Sequence, residues 1–350
     1  MPREGWRRLG VVRRSGMSSM PPRSRSCRGC RRLWFRRLAG LTLGGGYSPL
    51  SPRYGLAVDN LLGVEIVLAD GRRITVCDLE HPELFWALRG GGGNFGVVTA
   101  LRIRLHPMRE LLAGMILFPL SDAGSVLRGY AEIMASAPDE LTVMAGMMSP
   151  PDVGPVVFLA PVWSGSPSAG EECMTVLRRL GKPIVSQVSA MTFGDLLGMF
   201  DDHVVNGRHY ALETRWLTEL APALLSELVA GEDARTSPFS MIMLHHFHGA
   251  AARISASATA FGLRREHFML EILAAWDSAP GDDGTSHRRW AGELSRMAAR
   301  HASPGGYPNV LGPEAYDQIP FAHGSNIGRL RDVKGRFDAD NIFSGIPLAI

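Results

Sequence analysis

Apolar and polar positions alternate in the segment NLLGVEIVLADGRRITV and predict a β-hairpin. Val64, Ile66 and Leu68 occupy every second position, which places them on one face of a strand. The pair at 70–71 is Asp-Gly, a common two-residue hairpin turn, and the alternation returns at Ile74. A two-stranded unit is therefore expected close to the start of the globular part of the chain.

The segment HPELFWALRG predicts a short helix that begins near Pro82, and GVVTALRIRLHP predicts a strand after it. Between them, Gly91, Gly93 and Gly96 match the pattern G-x-G-x-x-G. A dinucleotide-binding loop follows a strand and precedes a helix, which is the reverse of the order here. The glycines are therefore interpreted as a loop whose backbone closely approaches another group, with an ordinary flexible turn as the alternative.

From about residue 112 to residue 304 the pattern predicts a sheet covered by helices. No internal repeat is visible in this part. An α+β fold with an antiparallel sheet is the simplest architecture. The candidate strands are GMILFPL, ELTVMAGMM, VVFLAPVW, PIVSQVS and SMIMLHHFH, and amphipathic helices are predicted near residues 123–136, 167–180, 218–230 and 288–302.

Length and composition describe a globular protein with room for two domains. The chain has 350 residues, of which 45% are hydrophobic, and its mean hydropathy is +0.02. No run of eighteen apolar residues occurs, so no membrane span is expected.

The net charge of +3 conceals an arginine-rich beginning. Residues 1–38 contain twelve arginines and the single acid Glu4, and subtracting their charge of +11 leaves −8 for the rest of the chain. Such a segment could be a nucleic-acid arm, a transit peptide or an export signal around Arg13-Arg14. No apolar stretch of the export type follows the arginines. The preferred interpretation is that these residues are not a selected sequence and come from a wrongly assigned start or a shifted reading frame, and no nucleic-acid partner is expected.

The spacing of cysteines and histidines predicts neither a metal site nor a disulfide. Cys77 and Cys173 stand alone in apolar surroundings, which is typical of a reduced, cytoplasmic protein. The C-x-x-C at 27–30 has no second ligand pair. His246 and His248 share one strand face without an acidic or cysteine partner at ligand spacing, so they are expected to face the core or a substrate.

Several stretches, in their order along the chain, resemble one protein family. They are AGLTLGGGYSPLSPRYGLAVDNLL, VLADGR, HPELFWALRGGGGNFGVVTALRIRLHP, FGDLLGMFDDHVVNGRHYALETRWL, GGYPNV and RLRDVKGRFDADNIF. The ordered set is similar to FAD-linked oxidases of the berberine-bridge-enzyme-like group, which are vanillyl-alcohol-oxidase-type flavoproteins. The resemblance implies the second half of a PCMH-type FAD-binding domain at 38–110, a substrate domain at 111–304 and a C-terminal segment at 305–350 that returns to the FAD side. Residues 1–37 are expected to be a disordered tail outside the family pattern.

The same resemblance implies which residues meet the flavin. The backbone of Gly44, Gly45 and Gly46 is expected to press against the ring system and to donate N–H groups to it. The other cofactor-binding residues implied by the family pattern are Asp59, Asn60, Gly96, Val97, Val98 and Asn341.

The family motif Y-x-N-Y often supplies the catalytic base. Here it reads Tyr307-Pro308-Asn309-Val310, so Tyr307 and Asn309 are the catalytic candidates and valine replaces the second tyrosine. Valine cannot accept a proton. The base is then Tyr307 or a histidine of the substrate domain, or the reaction needs none.

The activity implied is hydride transfer from a small alcohol, sugar, amine or specialised metabolite to FAD, followed by reoxidation with O₂. The family's Arg-x-Gly-Gly-His stretch, whose histidine bonds to the flavin, does not occur in this sequence. FAD is therefore expected to bind weakly and without a covalent link. The alternative is an inactive remnant or a non-enzymatic binding protein.

Overall fold

The computed structural model describes residues 8–10, 38–150, 152–199, 205–312 and 314–348. The C-x-x-C and the rest of segment 11–37 lie outside the described residues. Within the described ranges the strands form two antiparallel sheets, accompanied by helices, which confirms the α+β class.

Helices and strands are numbered here in chain order over the described residues. The helices are α1 (Leu38–Leu43), α2 (Ser51–Tyr54), α3 (Pro82–Leu88), α4 (Ala123–Met134), α5 (Pro167–Arg178), α6 (Phe193–Gly198), α7 (Pro222–Asp233), α8 (Thr285–Ala298) and α9 (Ile327–Phe337). The strands are β1 (Arg8–Gly10), β2 (Leu61–Val67), β3 (Arg73–Val76), β4 (Val97–Ile103), β5 (Leu111–Pro119), β6 (Leu141–Met148), β7 (Val156–Trp163), β8 (Val185–Met191), β9 (His209–Leu217), β10 (Met241–Phe247), β11 (His267–Trp276) and β12 (Ala302–Ser303).

The smaller sheet contains the expected hairpin. Its described strands run in the order β1-β4-β2-β3, with β2 and β3 paired across the turn. Gly71 adopts a φ of +81° in that turn, which a residue without a Cβ allows at little cost. Leu84, Phe85 and Leu88 of α3 are buried in the core beside this sheet. The order helix, glycines, strand that the sequence predicted for residues 82–103 is confirmed.

The larger sheet has the order β12-β9-β11-β10-β6-β7-β5-β8 among the described strands. One face carries Ile116, Val143 and Ile242 and packs under α4, α5, α7 and α8, so the predicted helical cover on one face is confirmed. The opposite face, called the open face below, includes Met144 and Met243. The open face is the one whose side chains are not buried under the four long helices.

The C-terminal segment packs against the small-sheet region. Leu330 and Val333 of α9 join the core that contains Leu84 and Phe95. Lys334 Nζ donates to Asn94 O at 2.9 Å. This contact is the return that the family order predicts for residues 330–350, whereas the division into domains stays a prediction.

Two central strands of the larger sheet, β9 and β11, were not among the strands predicted from the sequence. The predicted strands overlap β5, β6, β7, β8 and β10, and the four predicted helices overlap α4, α5, α7 and α8. In the described ranges, no helix combines the length and apolar character needed to cross a membrane.

Candidate active site

The glycines at 44–46, called the glycine loop below, turn sharply after α1. Gly45 and Gly46 have φ values of +129° and +80°, a region that side chains disfavour. A Cβ on Gly44 would lie 1.9 Å from Oδ1 of Asn309. Glycine is therefore required both for the turn and for the close approach of the Asn309 side chain.

Hydrogen bonds fix the glycine loop on both of its edges. Its three N–H groups donate in order to Gly40 O at 3.3 Å, Thr42 O at 3.2 Å and the Tyr307 hydroxyl at 3.1 Å. Its carbonyls at 45 and 46 accept from the N–H groups of residues 57–58. Each of these N–H groups has a protein acceptor in this structure, and their donation to a flavin stays a prediction.

The structure brings both catalytic candidates, Tyr307 and Asn309, to the glycine loop. Asn309 Nδ2 donates to the Tyr307 hydroxyl and to Leu41 O, each at 3.0 Å. Burial raises the pKa of Tyr307 above its ordinary value. The hydrogen bonds that its oxygen accepts from Asn309 and Gly46 lower the pKa, but burial is the larger effect, so Tyr307 stays protonated and is a poor proton acceptor at neutral pH.

An aromatic cluster fills the space beside the glycine loop. Tyr47, the residue after the loop, lies 4.8 Å from Tyr307 and 5.3 Å from Phe247 between ring centroids. Val310 packs against the same cluster. The position where the family often has a second tyrosine therefore contributes apolar contact here.

His267 is the buried polar partner of this aromatic cluster. Its Nδ1 lies 2.8 Å from Arg265 O and its Nε2 lies 3.0 Å from the Tyr47 hydroxyl. Because Nδ1 must donate to the carbonyl, Nε2 accepts from Tyr47. Burial lowers the pKa of His267 to about 4, so the ring is neutral at physiological pH.

The free energy of unfolding is expected to fall as the pH is lowered from 6.5 to 4.5. In this range His267 takes up a proton in the unfolded chain. In the folded protein the buried ring, with its pKa of about 4, stays neutral. This difference in proton uptake at His267 lowers the free energy of unfolding by roughly 2 kcal/mol over the range. Buried His246 and His323, with pKa values of about 3 and 4, act in the same direction, whereas buried Glu232, whose pKa is raised to about 7, takes up a proton in the folded state and offsets part of the loss. Urea unfolding at pH 7 and pH 4.5 measures the effect, which His267→Phe should reduce and exposed His81→Asn should leave unchanged.

Asp59 and Asn60, expected beside the cofactor, are occupied by protein contacts. Both Asp59 oxygens bind the Arg264 guanidinium, at 2.8 and 2.9 Å, and one also accepts from Leu56 N at 2.7 Å. Asn60 Oδ1 lies 2.7 Å from His106 Nε2. The two side chains stabilise the segment that backs the glycine loop, and a contact of either with a flavin stays a prediction.

The remaining expected cofactor-binding residues, called the second group, are Gly96, Val97 and Val98 at the start of β4 and Asn341 in the C-terminal segment, and no described contact joins them to Tyr307 or Asn309. A Cβ on Gly96, which has a φ of +155°, would lie 2.5 Å from Val67 O. Val97 is 55% exposed whereas Val98 is buried. The glycine run 90–96 connects this group to the glycine loop, since Leu43 O accepts from the N–H groups of residues 90 and 92 at 2.8 and 3.0 Å.

A cleft of about 300 Å³ lies next to this second group. It is lined by the hairpin turn, Leu68 to Arg72, and by residues 336–340 and Ile342 around Asn341. Asn341 itself is exposed, with a φ of +50°. The two groups of expected site residues thus lie at opposite ends of the glycine run.

The open face carries an acid and a histidine that sequence reasoning did not select. Glu271 Oε2 lies 3.0 Å from His245 Nε2, and the two side chains are 17% and 30% exposed. Glu271 sits directly opposite Thr214 on β9 and Met243 on β10. Glu271 could have been found as the single acid in the apolar segment HFMLEILAAW, because a carboxylate in a buried strand needs a polar partner and therefore indicates a site.

His246 and His248, considered above as metal ligands, form a ring stack instead. Their ring centroids lie 4.6 Å apart, and His246 also stacks on Phe268 at 4.5 Å. Burial lowers the pKa of His246 to about 3. In the part of the chain that the structure describes, no group of three or more His, Cys, Asp or Glu side chains is arranged to hold a metal.

Known proteins with similar sequences are FAD-linked oxidoreductases. The FAD-linked oxidoreductase aurO of Gibberella zeae is 31% identical over 301 residues, which is 84% of this chain and 58% of aurO. The 6-hydroxy-D-nicotine oxidase structure from Arthrobacter nicotinovorans has a TM-score of 0.73 at 26% identity, covering 87% of this chain and 69% of that one. The chain belongs to the berberine-bridge-enzyme-like family of FAD-linked oxidoreductases. No family model matches it.

The berberine-bridge-enzyme-like fold extends over most of the chain. The Physcomitrella patens BBE-like 1 structure has a TM-score of 0.78 at 18% identity and covers 89% of this chain and 71% of that one. The chain spans 58% of the length of aurO and 66% of an FAD-linked oxidoreductase from Dictyostelium discoideum, to which it is 27% identical over 310 residues.

FAD is the cofactor of the berberine-bridge-enzyme-like family, and the described residues fit its ring system better than its phosphates. The buried Trp216 Nε1 and Thr214 Oγ1 make no hydrogen bond in this structure, so polar capacity remains unused near the aromatic cluster. Gly93 has open space where a Cβ would be, beside exposed Val97. The cleft near Asn341 is lined by three aspartates, Asp70, Asp338 and Asp340, against two arginines, Arg72 and Arg336, and Arg72 is already paired with Asp70, so the charges there do not favour a pyrophosphate.

Proposed function

We propose that this chain is an FAD-dependent oxidoreductase that takes a hydride from a small organic molecule, with O₂ as the final electron acceptor. The observation that carries the proposal is the contact of Tyr307 and Asn309 with the glycine loop, where Tyr307 belongs to the same aromatic cluster as Met269 of β11. When bound, FAD supplies the hydride acceptor.

The glycine loop, Tyr307 and Asn309 would hold the ring end of the cofactor. Tyr47 and Phe261 would exclude water from it, because they are packed in the aromatic cluster. A contact of Gly96, Val97, Val98 and Asn341 with the cofactor stays a prediction, since the cleft near Asn341 does not suit its phosphates. The small molecule would then lie between the loop and the open face of the larger sheet.

Glu271, positioned by His245, would accept the proton that leaves a substrate hydroxyl or amine. Valine at 310 cannot do so, and Tyr307 is held protonated by burial. Glu271 is partly exposed on the open face, and its charge acts on both Tyr47 and Tyr307. A carboxylate at this place is therefore both accessible and close to the aromatic cluster.

A small-molecule-binding protein without flavin is the second candidate function. It is favoured by the glycine loop, whose N–H groups are all engaged and whose Gly44 face is filled by Asn309. In that case the open face would still bind its ligand, but no cofactor would reach the loop.

Titration with FAD distinguishes the two candidates. Wild-type protein and Gly40→Ala are expected to quench flavin fluorescence on binding, since a Cβ at Gly40 meets nothing within 4 Å. Gly45→Ala is expected to bind about tenfold more weakly, because alanine at a φ of +129° shifts the loop. Circular dichroism checks that all three proteins fold. Folded wild-type protein that leaves FAD fluorescence unchanged would instead support the binding protein.

A further inference from the structure

The open face presents one row of side chains across four neighbouring strands. Thr214 on β9 lies opposite Glu271 on β11, which lies opposite Met243 on β10, and Met243 lies opposite Gly146 on β6. Directly opposite residues of antiparallel strands project to the same face with Cβ atoms about 5 Å apart. These positions therefore form a continuous surface, and at its Gly146 end the buried Phe158 ring fills the space that the glycine leaves.

Methionine dominates this surface. Six methionines lie in or against the apolar cluster of the open face. Those at 115, 144 and 243 are only partly buried, so a ligand can touch their side chains. Methionine adapts its shape to a ligand and makes favourable sulfur contacts with aromatic rings. The cluster members are Met115, Met144, Met148, Met199, Met241 and Met243.

Polar groups on this surface are few and lie together. Glu271 is the acid of the row, and its carboxylate contacts His245. The Thr214 hydroxyl opposite Glu271 is buried without a hydrogen-bond partner, so this end of the row has polar capacity that the protein does not use. Thr142, on the same face, is already bound to Pro49 O at 2.6 Å.

We propose that the open face binds a planar aromatic molecule that carries a hydroxyl group, and that it does not bind sugars. The ring lies on Met144 and Met243, and its hydroxyl donates to the Glu271 carboxylate. A sugar presents hydroxyls around its whole ring, and most of them would lose water against methionine without gaining a partner. The proposal narrows the substrate class of the proposed oxidoreductase and rests on that function only for the claim that the bound molecule is oxidised.

Methyl NMR of protein labelled with [methyl-¹³C]methionine tests the binding directly and needs neither FAD nor turnover. Addition of 2-naphthol is expected to shift the methyl signals of Met115, Met144 or Met243 through its ring current. The exposed Met108 and the helix-face Met174 serve as internal controls that do not move. Methionine-to-leucine variants assign the signals.

Two probes and one variant measure how much the hydroxyl group of the ligand contributes to binding. We expect 2-methoxynaphthalene, which cannot donate a hydrogen bond, to bind roughly tenfold more weakly than 2-naphthol. Glu271→Gln should remove most of that difference by weakening 2-naphthol alone, while the exposed Glu219→Gln should preserve it. Cellobiose should shift none of the methionine signals.

The outcomes separate this proposal from the proposed function. Shifts by cellobiose, equal affinities of the two naphthalenes for wild-type protein, or shifts confined to other methionines would each overturn the aromatic site. If 2-naphthol binds as expected but bound FAD is never reduced by any hydroxylated aromatic compound that also carries a benzylic or carbinol C–H bond able to give up a hydride, the oxidoreductase proposal fails and the binding site stands. Reduction of FAD by a sugar, without any methionine shift on addition of 2-naphthol, would overturn the aromatic site and leave the oxidoreductase proposal standing.

Discussion

Arg264→Leu is expected to cost about 3 to 5 kcal/mol of the free energy of unfolding, because it leaves a buried carboxylate without its cation. The Arg264 and Asp59 side chains are only 3% and 6% exposed. Arg264 also donates to the Thr259 hydroxyl at 2.8 Å, so the variant disrupts a network. Urea unfolding followed by circular dichroism at pH 7 measures the loss.

Arg329→Leu provides the matched control for this prediction. Arg329 pairs with Glu83 at 2.8 Å, but the two side chains are 42% and 44% exposed, so solvent screens the pair. Its removal should cost about 1 kcal/mol or less. The double variant Asp59→Leu/Arg264→Leu should recover part of the loss, since no unpaired charge remains. Equal, small losses in both arginine variants would show that the buried pair contributes no more than the exposed one.

The position of the buried pair explains why its loss should also affect the site. Asp59 belongs to the segment whose N–H groups at 57–58 bind the carbonyls of the glycine loop. Arg264 precedes β11, which carries His267 and Glu271. The pair therefore connects the loop to the open face, and FAD affinity should fall together with stability in Arg264→Leu.

Local signals were sufficient for the elements that the sequence predicted correctly. The hairpin at 61–76 combines strict alternation with an Asp-Gly turn, and both are properties of neighbouring residues. Pro82 is the first residue of α3, as the sequence indicated, because proline suits the first turn of a helix. These features need no information from distant parts of the chain.

Strands β9 and β11 were missed because their stabilising partners are distant in sequence. Arg215 in β9 donates to Ser295 of α8, which makes a charged residue compatible with a buried strand. The apolar segment of β11 is long enough to suggest a helix or a strand equally. Only pairing with β9 and β10 decides in favour of the strand.

Only those site residues that belong to family motifs could be predicted from the sequence. The contact of Tyr307 and Asn309 with the glycine loop joins positions more than 260 residues apart, and the resemblance alone indicated it. His245 was not selected from the sequence, because the spacing of two between His246 and His248 predicts a shared strand face and His245 falls outside that pair. In the strand, His245 projects to the open face and His246 to the helix face, a distinction that depends on register.

Glu271→Gln is expected to slow reduction of bound FAD by a hydroxylated aromatic substrate by roughly 100-fold or more, because glutamine cannot accept the substrate proton. This corresponds to about 3 kcal/mol in the activation free energy. Stopped-flow absorbance under anaerobic conditions measures the rate of flavin reduction. The loss should appear in this rate at saturating substrate, beyond any change in substrate affinity.

The pH profile distinguishes a proton acceptor from a residue that only shapes the site. If Glu271 accepts the substrate proton, Glu271→Gln should change the pH profile of flavin reduction as well as the rate, whereas a residue that only shapes the site should leave the profile as it is in the wild type. The exposed Glu219→Gln keeps both the rate and the profile, while His245→Gln should reduce the rate less, because His245 acts through Glu271. If Glu271→Gln reduces flavin at the wild-type rate, the proton leaves by another route, and the unpartnered Thr214 hydroxyl opposite Glu271 is the next group to vary.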